Sequence, residues 1–280
     1  MKAQLSFTPR NSTTYGKLKA EIEVVSDYLH VGMEKGIPRV DSEKINNARK
    51  KIDNVLKDFI NDRLSPGEVD QFFQPEVNWF SSENGTYFIP GNSVKGAVRS
   101  RIELSTPGSC YISTDRRTQN VSSRYISIFK PDKRIGSDNF LKEYFVNGRS
   151  ICPVCNVFGN SGLASRVIFT DFKLVSGKVG IIPYNNERYE VVLKGSKFTG
   201  EILFKGLKDE EVGMVLFGMK AFDNAGKISF KEMLFGRFKF MDRKFGRVRF
   251  SIQSAVQINP LEDLKRFLEK YHPKEVNENW

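Results

Sequence analysis

A strand, a Pro-Gly turn and a helix follow one another without a break in FIPGNSVKGAVRSRIE, Phe88 to Glu103. Gly91 permits an unusual backbone angle after Pro90, and Ser93 is placed to cap a helix expected over Ser93 to Leu104. The start of such a helix presents backbone N–H groups and the positive end of the helix dipole, here with Lys95, Arg99 and Arg101 close by. An RNA backbone needs that combination from a protein: amide donors, a positive helix end and cations. Asn92, Ser93, Lys95 and Arg99 are therefore candidate RNA contacts. Gly96 in the first turn costs about 1 kcal/mol relative to Ala, which predicts the close approach of another backbone. The alternative is an ordinary strand-to-helix turn with solvent-facing cations.

Around this segment the chain alternates between the two hydrophobic periods. Lys17 to Val25 alternates polar and apolar residues and reads as a half-buried strand. Asp41 to Leu64 is an amphipathic helix with Ile45, Ala48, Ile52, Val55, Leu56 and Phe59 on one face, and Asp41 or Ser42 can cap it. Thr86 to Ile89 is a short strand. Val167 to Val175 and Val179 to Ile182 read as a hairpin closed at Ser176-Gly177, with further strands at Arg188 to Leu193 and Lys197 to Phe204. A helix over Asp209 to Phe222 buries Val212, Val215, Leu216, Met219 and Phe222. Strands GRFKF at Gly236 and GRVRFSI at Gly246 follow, then a helix over Leu261 to Tyr271 and a frayed tail, VNENW. The order is α+β, with ferredoxin-like (RRM-like) units, one or two of them, as the natural arrangement. A single domain over residues 1–280 is expected, with a helical insertion at about 39–76 and a loop-rich one at 106–150. The polar 106–150 stretch is too long for a plain connection.

The chain carries 44 Lys and Arg against 33 Asp and Glu, a net charge of +11. With no dense basic tail, that excess points to a basic groove and a polyanion partner. No apolar run approaches the ~20 residues of a membrane helix, and MKAQLSFTPRN is not a signal peptide, so a cytoplasmic location without membrane contact is expected. There is no G-x-G-x-x-G or Walker loop and so no nucleotide-cofactor signal. Two histidines limit His-based catalysis.

A second segment, CPVCNVFGNSGLASRVIFTDF, spans Cys152 to Phe172. Phe158 to Gly162 is a turn whose amides can cradle a phosphate. Ser161, Ser165 and Arg166 are candidate contacts, the alternative for Arg166 being an ion pair with Asp171 or a neighbour. Cys152 and Cys155 have metal-ligand spacing, and Cys110 is the third thiol. Structural zinc on these three, or plain reduced thiols, both fit, since a disulfide framework does not suit an odd count.

IPGNSVKGAVR resembles the I-P-G-S-S-x-K-G-x-x-R signature of the RAMP superfamily, the RNA-binding subunits of CRISPR effector complexes. The Cys152–Phe172 segment looks like the second signature of Csm-type and Cmr-type subunits. The resemblance implies one or two ferredoxin-like units and a Gly-rich loop near the C-terminus, for which Phe235-Gly236-Arg237 through Phe245-Gly246-Arg247 is the candidate, with Arg237 and Arg247 as RNA contacts. Leu29-His30-Val31-Gly32 resembles the family's turn onto the RNA face. His30 is then an RNA contact, or the base of a guide-processing endoribonuclease, the alternative being a packed or hydrogen-bonded histidine. Slicing relatives place an Asp after this turn and cut by metal-assisted attack of a 2′-hydroxyl; Asp41 is the positional candidate, with Mg2+ required only if the chain cuts. The long 41–64 helix looks more like the cap-type subunits that bind without cutting. The resemblance thus implies a type III CRISPR subunit gripping guide RNA (crRNA), with target RNA and other Csm/Cmr-type subunits as partners in antiviral defence.

Overall fold

A computed structural model describes residues 15–32, 41–47, 52–65, 68–69, 72, 76–107, 109, 123–129, 151–160 and 162–280. The chain forms two compact units, one from Met1–Val31, Ser81–Lys178 and Val192–Trp280, the other from Gly32–Phe80 and Val179–Val191.

Along the first unit run β1 (Tyr15–Val24), β2 (Thr86–Ile89), α1 (Gly91–Ser105), α2 (Pro153–Phe158), β3 (Val167–Phe169), β4 (Phe172–Ser176), β5 (Lys197–Lys205), α3 (Asp209–Gly218), β6 (Glu232–Leu234), β7 (Arg247–Val256) and α4 (Pro260–Tyr271). Alternation in β1 buries Leu18, Ala20, Ile22 and Val24 and turns Lys17, Lys19, Glu21 and Glu23 outward. Each large apolar side chain so buried contributes about 1.5–3 kcal/mol. β1 lies between β5 and β7, antiparallel to both, and β3 and β4 continue the sheet beyond β5. β7, β1, β5 and the β3–β4 pair thus stand in the order 4-1-3-2 of a split β-α-β-β-α-β unit, with α1 and α3 as its two helices. The fold is α+β and ferredoxin-like, and the described residues hold one such unit. β6 adds an edge beside β7, and β2 with Ser82–Glu83 extends the other end.

The second unit holds helices Ser42–Asn47 and Ile52–Ile60 and the strand Val77–Asn78, which runs parallel to Arg188 and Tyr189. Of the expected apolar helix face, Val55 is buried against Phe72 and Leu64, while Leu56 and Phe59 remain about two-fifths exposed. Ala48 lies outside the described residues. No helix among the described residues is long and apolar enough to cross a membrane.

Several expectations are corrected. Val167–Val175 and Val179–Ile182 do not form a hairpin with each other: β4 pairs with β5 and β2, and Val179–Tyr184 pairs with Glu187–Leu193 instead. GRFKF is a turn rather than a strand, with Phe238 at φ 64°. α3 stops at Gly218, and Phe222 lies in the strand Ala221–Asn224. The tail is not frayed: Glu278 is buried, and Lys220 donates to the Val276 carbonyl at 2.6 Å.

The expected backbone approach at Gly96 is absent among the described residues, since a Cβ added there meets none of them within 4 Å. Gly96→Ala should therefore stabilise α1 by up to about 1 kcal/mol. A urea midpoint that falls instead would show that the space is used.

Candidate nucleic-acid interface

The two motif segments hold each other in place. α1 begins at Gly91 with Pro90 as its N-cap, not at Ser93, because Asp171 of the second segment supplies the cap: its Oδ1 accepts the Gly91 N–H at 2.8 Å. A Cβ at position 91 would lie 2.1 Å from the Phe169 carbonyl oxygen, so only glycine fits that contact. A carboxylate of the protein thus already occupies the helix start. Asn92 and Ser93 are exposed in the first turn, and the Ser93 N–H donates to the Pro90 carbonyl at 2.9 Å. Lys95 is half-buried; desolvation, and then the charge of Arg99, hold its ammonium below the usual lysine range. A phosphate would offset both effects.

Arg99 is turned into the protein. It pairs with Glu103 at 2.7 Å and donates to the Gly159 carbonyl at 2.9 Å and towards Cys155 Sγ at 3.7 Å. The structure likewise gives Arg166 another duty than RNA contact. It is 4 % exposed, pairs with Glu211 at 2.6 Å and donates to the carbonyls of Gly206 and Asn156. Its ion-pair partner is Glu211, not Asp171. The Ser165 hydroxyl donates to the Val167 carbonyl at 2.7 Å. Ser161 lies outside the described residues, as does Cys110. Cys155 is buried with Arg99 and Asn160 directed at its sulfur, Asn160 at 3.8 Å. A guanidinium beside the sulfur opposes a dication, and no group of three His, Cys, Asp or Glu among the described residues could hold a metal. The third expected ligand, Cys110, lies outside the described residues.

A dense group of cations lies elsewhere, on the connection between β6 and β7. Residues 235–247, FGRFKFMDRKFGR, hold five cations and one acid. Phe235 N–H donates to the Gly246 carbonyl at 2.8 Å and closes the loop's base. Gly236, at φ 79°, lies against the His30 carbonyl, which accepts the Arg237 N–H at 2.9 Å. His30 and Arg237 are thus brought together through backbone, while the His30 ring is fully buried, out of reach of RNA. Phe238 and Tyr28 pack their rings on Phe245, each at 5.3 Å, and fix the loop from inside. Arg237, Arg243 and Lys244 are exposed, and Arg247 is half-buried. Lys239 donates to the Gly236 carbonyl; burial, and then the nearby charge of Arg101, push its pKa down to about 8.

Tyr125 and Phe129 pack edge-on against Phe240 of this loop at 5.4 and 5.6 Å. They belong to the helix Ser123–Phe129, whose Arg124 donates to the Phe240 and Met241 carbonyls.

On the outward face of the sheet several cations are paired with acids. Lys17 pairs with Glu201 at 2.7 Å, Lys197 with Glu21 at 2.9 Å and Arg249 with Glu232 at 2.9 Å. A groove of about 1050 Å³ beside β7 is charge-balanced too, with Lys220 and Lys231 both paired to Glu275.

In the second unit Asp41 is a helix N-cap: its Oδ1 accepts the Lys44 N–H at 3.2 Å. The sequence motifs do not single out Lys239, Arg243 or Lys244, which the structure places on the 235–247 loop, nor Trp280, whose ring lies beside Arg124 and Arg243. The density of cations in 235–247 was the available signal for three of them; nothing local marks Trp280.

Residues 21–239 match the family model described as the RAMP superfamily. No match is found among the curated proteins.

Proposed function

Since the chain belongs to the RAMP superfamily, whose membership points to a CRISPR-associated role, we propose that it is a guide-RNA-binding subunit of a type III CRISPR ribonucleoprotein. In this reading it grips the phosphate backbone, supports pairing of the guide with target RNA, and stacks against other subunits of the effector complex. The observation that carries the reading is the 235–247 loop, where five cations face one acid and Arg237, Arg243 and Lys244 stand exposed. The exposed side chains of Asn92 and Ser93 in the first turn of α1, with half-buried Lys95, add further polar groups. Sequence-independent grip by cations and amides is what a protein needs when base pairing supplies the specificity. The proposal is binding rather than cutting, because Asp41 caps a helix and the His30 ring is enclosed.

Anisotropy of a labelled single-stranded RNA across a salt series tests it. Affinity should fall with salt, with a log–log slope of about −0.7 for each phosphate contact. Arg243→Glu with Lys244→Glu should flatten that slope by the equivalent of two contacts. A slope that stays the same in the double variant would remove the loop from the interface.

A further inference from the structure

The side chain of Trp280 lies in a cationic seat of unusual composition. The Arg124 guanidinium stacks over the indole at 3.9 Å, and Arg243 stands 5.6 Å from the same ring. Arg247 Nη2 reaches the backbone carbonyls of Glu278 and Trp280, each at 3.5 Å. Arg124 is itself held by two carbonyls of the 235–247 loop, so the seat is built into that loop. A flat ring on one guanidinium with a second near it, and a further guanidinium over the neighbouring backbone, is the arrangement that takes an unpaired nucleobase and its phosphate. Tryptophan fills the seat imperfectly, because its Nε1–H is buried and makes no hydrogen bond among the described residues. An enclosed donor left unmet is a standing cost, and it makes the occupant easier to displace. The tail is anchored two residues earlier by the buried Glu278, and Asn279 between them is exposed, so the ring can leave without the anchor.

We propose that Arg124, Arg243 and Arg247 form a nucleobase site that Trp280 occupies in the RNA-free protein and that one unpaired nucleotide of bound RNA takes over. This rests on the RNA-binding reading above. Its chemistry, a base plus a phosphate, is the same whether the nucleotide belongs to guide or target.

Trp79 is the chain's other tryptophan, so Trp79→Phe leaves Trp280 as the sole reporter. Labelled oligouridine binding, followed by anisotropy, should be accompanied by a red shift of Trp280 emission and increased quenching by acrylamide. Polyphosphate, which has charge but no bases, should bind without moving the emission. With both other probes intact, Trp280→Ala in the otherwise native chain should bind the RNA about 3- to 10-fold more tightly, the gain from removing a competing cation–π occupant. RNA binding with Trp280 emission unmoved and Trp280→Ala unchanged in affinity overturns the base site alone. An emission shift with polyphosphate overturns the base and leaves an anion site. No anisotropy change in the native chain overturns the RNA-binding reading and this inference with it.

Discussion

Replacing Arg166 with alanine is expected to cost the fold about 3–5 kcal/mol, the range for stripping one partner from a buried ion pair. Glu211 would be left as a charge 5 % exposed, with the Asn156 amide at 3.0 Å and the Lys208 N–H at 2.9 Å as its remaining donors. The Gly206 and Asn156 carbonyls would lose their donor as well. A domain stable by about 5–15 kcal/mol cannot absorb such a loss lightly, so the urea midpoint should fall steeply. Arg166→Met with Glu211→Gln should recover most of the loss, because no unpaired charge remains and the glutamine oxygen can still accept the Lys208 N–H. An Arg166→Ala variant that keeps its midpoint but loses RNA affinity would return Arg166 to the RNA-contacting set and contradict its role as a brace.

The second large effect is expected at the C-terminal segment. Arg101 and Glu278 meet at 2.6 Å with both side chains almost fully enclosed, and Glu278 also accepts the Leu234 N–H at 2.7 Å. Glu278→Ala should again cost about 3–5 kcal/mol. The loss should reach further than the pair, since Arg101 also donates to the Leu234 carbonyl where β6 leads into the cationic loop. Lys239 reports on it. Its pKa, near 8 in the fold, is lowered first by burial and then by Arg101, and Glu278 opposes that fall; without Glu278 it should drop further. Because the folded value lies below the unfolded one, the unfolded chain binds more protons between about pH 8 and 10.5, and this group's contribution to stability rises with pH across that window. Glu278→Ala should extend the window downwards. A variant with native midpoint and unchanged pH dependence would show that the tail is only resting on the surface.

Much of the fold could be read from the residues because the relevant signals are local. The alternation of Lys17 to Val25 placed β1 and its buried face, and the strand, Pro-Gly turn and helix of Phe88 to Glu103 placed β2 and α1. What the sequence hid was tertiary. Nothing near Ser165-Arg166-Val167 marks Arg166 as buried, because Glu211 lies forty-five positions away. Asp171 displaced Ser93 as the cap of α1 for the same reason. GRFKF alternates as a strand does, yet Gly236 and Phe238 take positive φ and turn it over the His30 carbonyl. VNENW has the composition of a frayed end, and the partners that draw Glu278 in, the enclosed Arg101 and the Leu234 N–H, lie far away in the chain. The two segments that carry the family likeness proved mostly to be fasteners, through Gly91, Arg99, Arg166 and Asp171. The densest run of cations lies instead on the 235–247 loop.

Sequencing of the RNA that co-purifies with this chain from its native host tests the central claim most directly. The account predicts short RNAs sharing one repeat-derived end, the mark of CRISPR guides, and their loss on Arg243→Glu with Lys244→Glu. Recovery of no enriched small RNA, or of an unselected mixture unaffected by those substitutions, would contradict it.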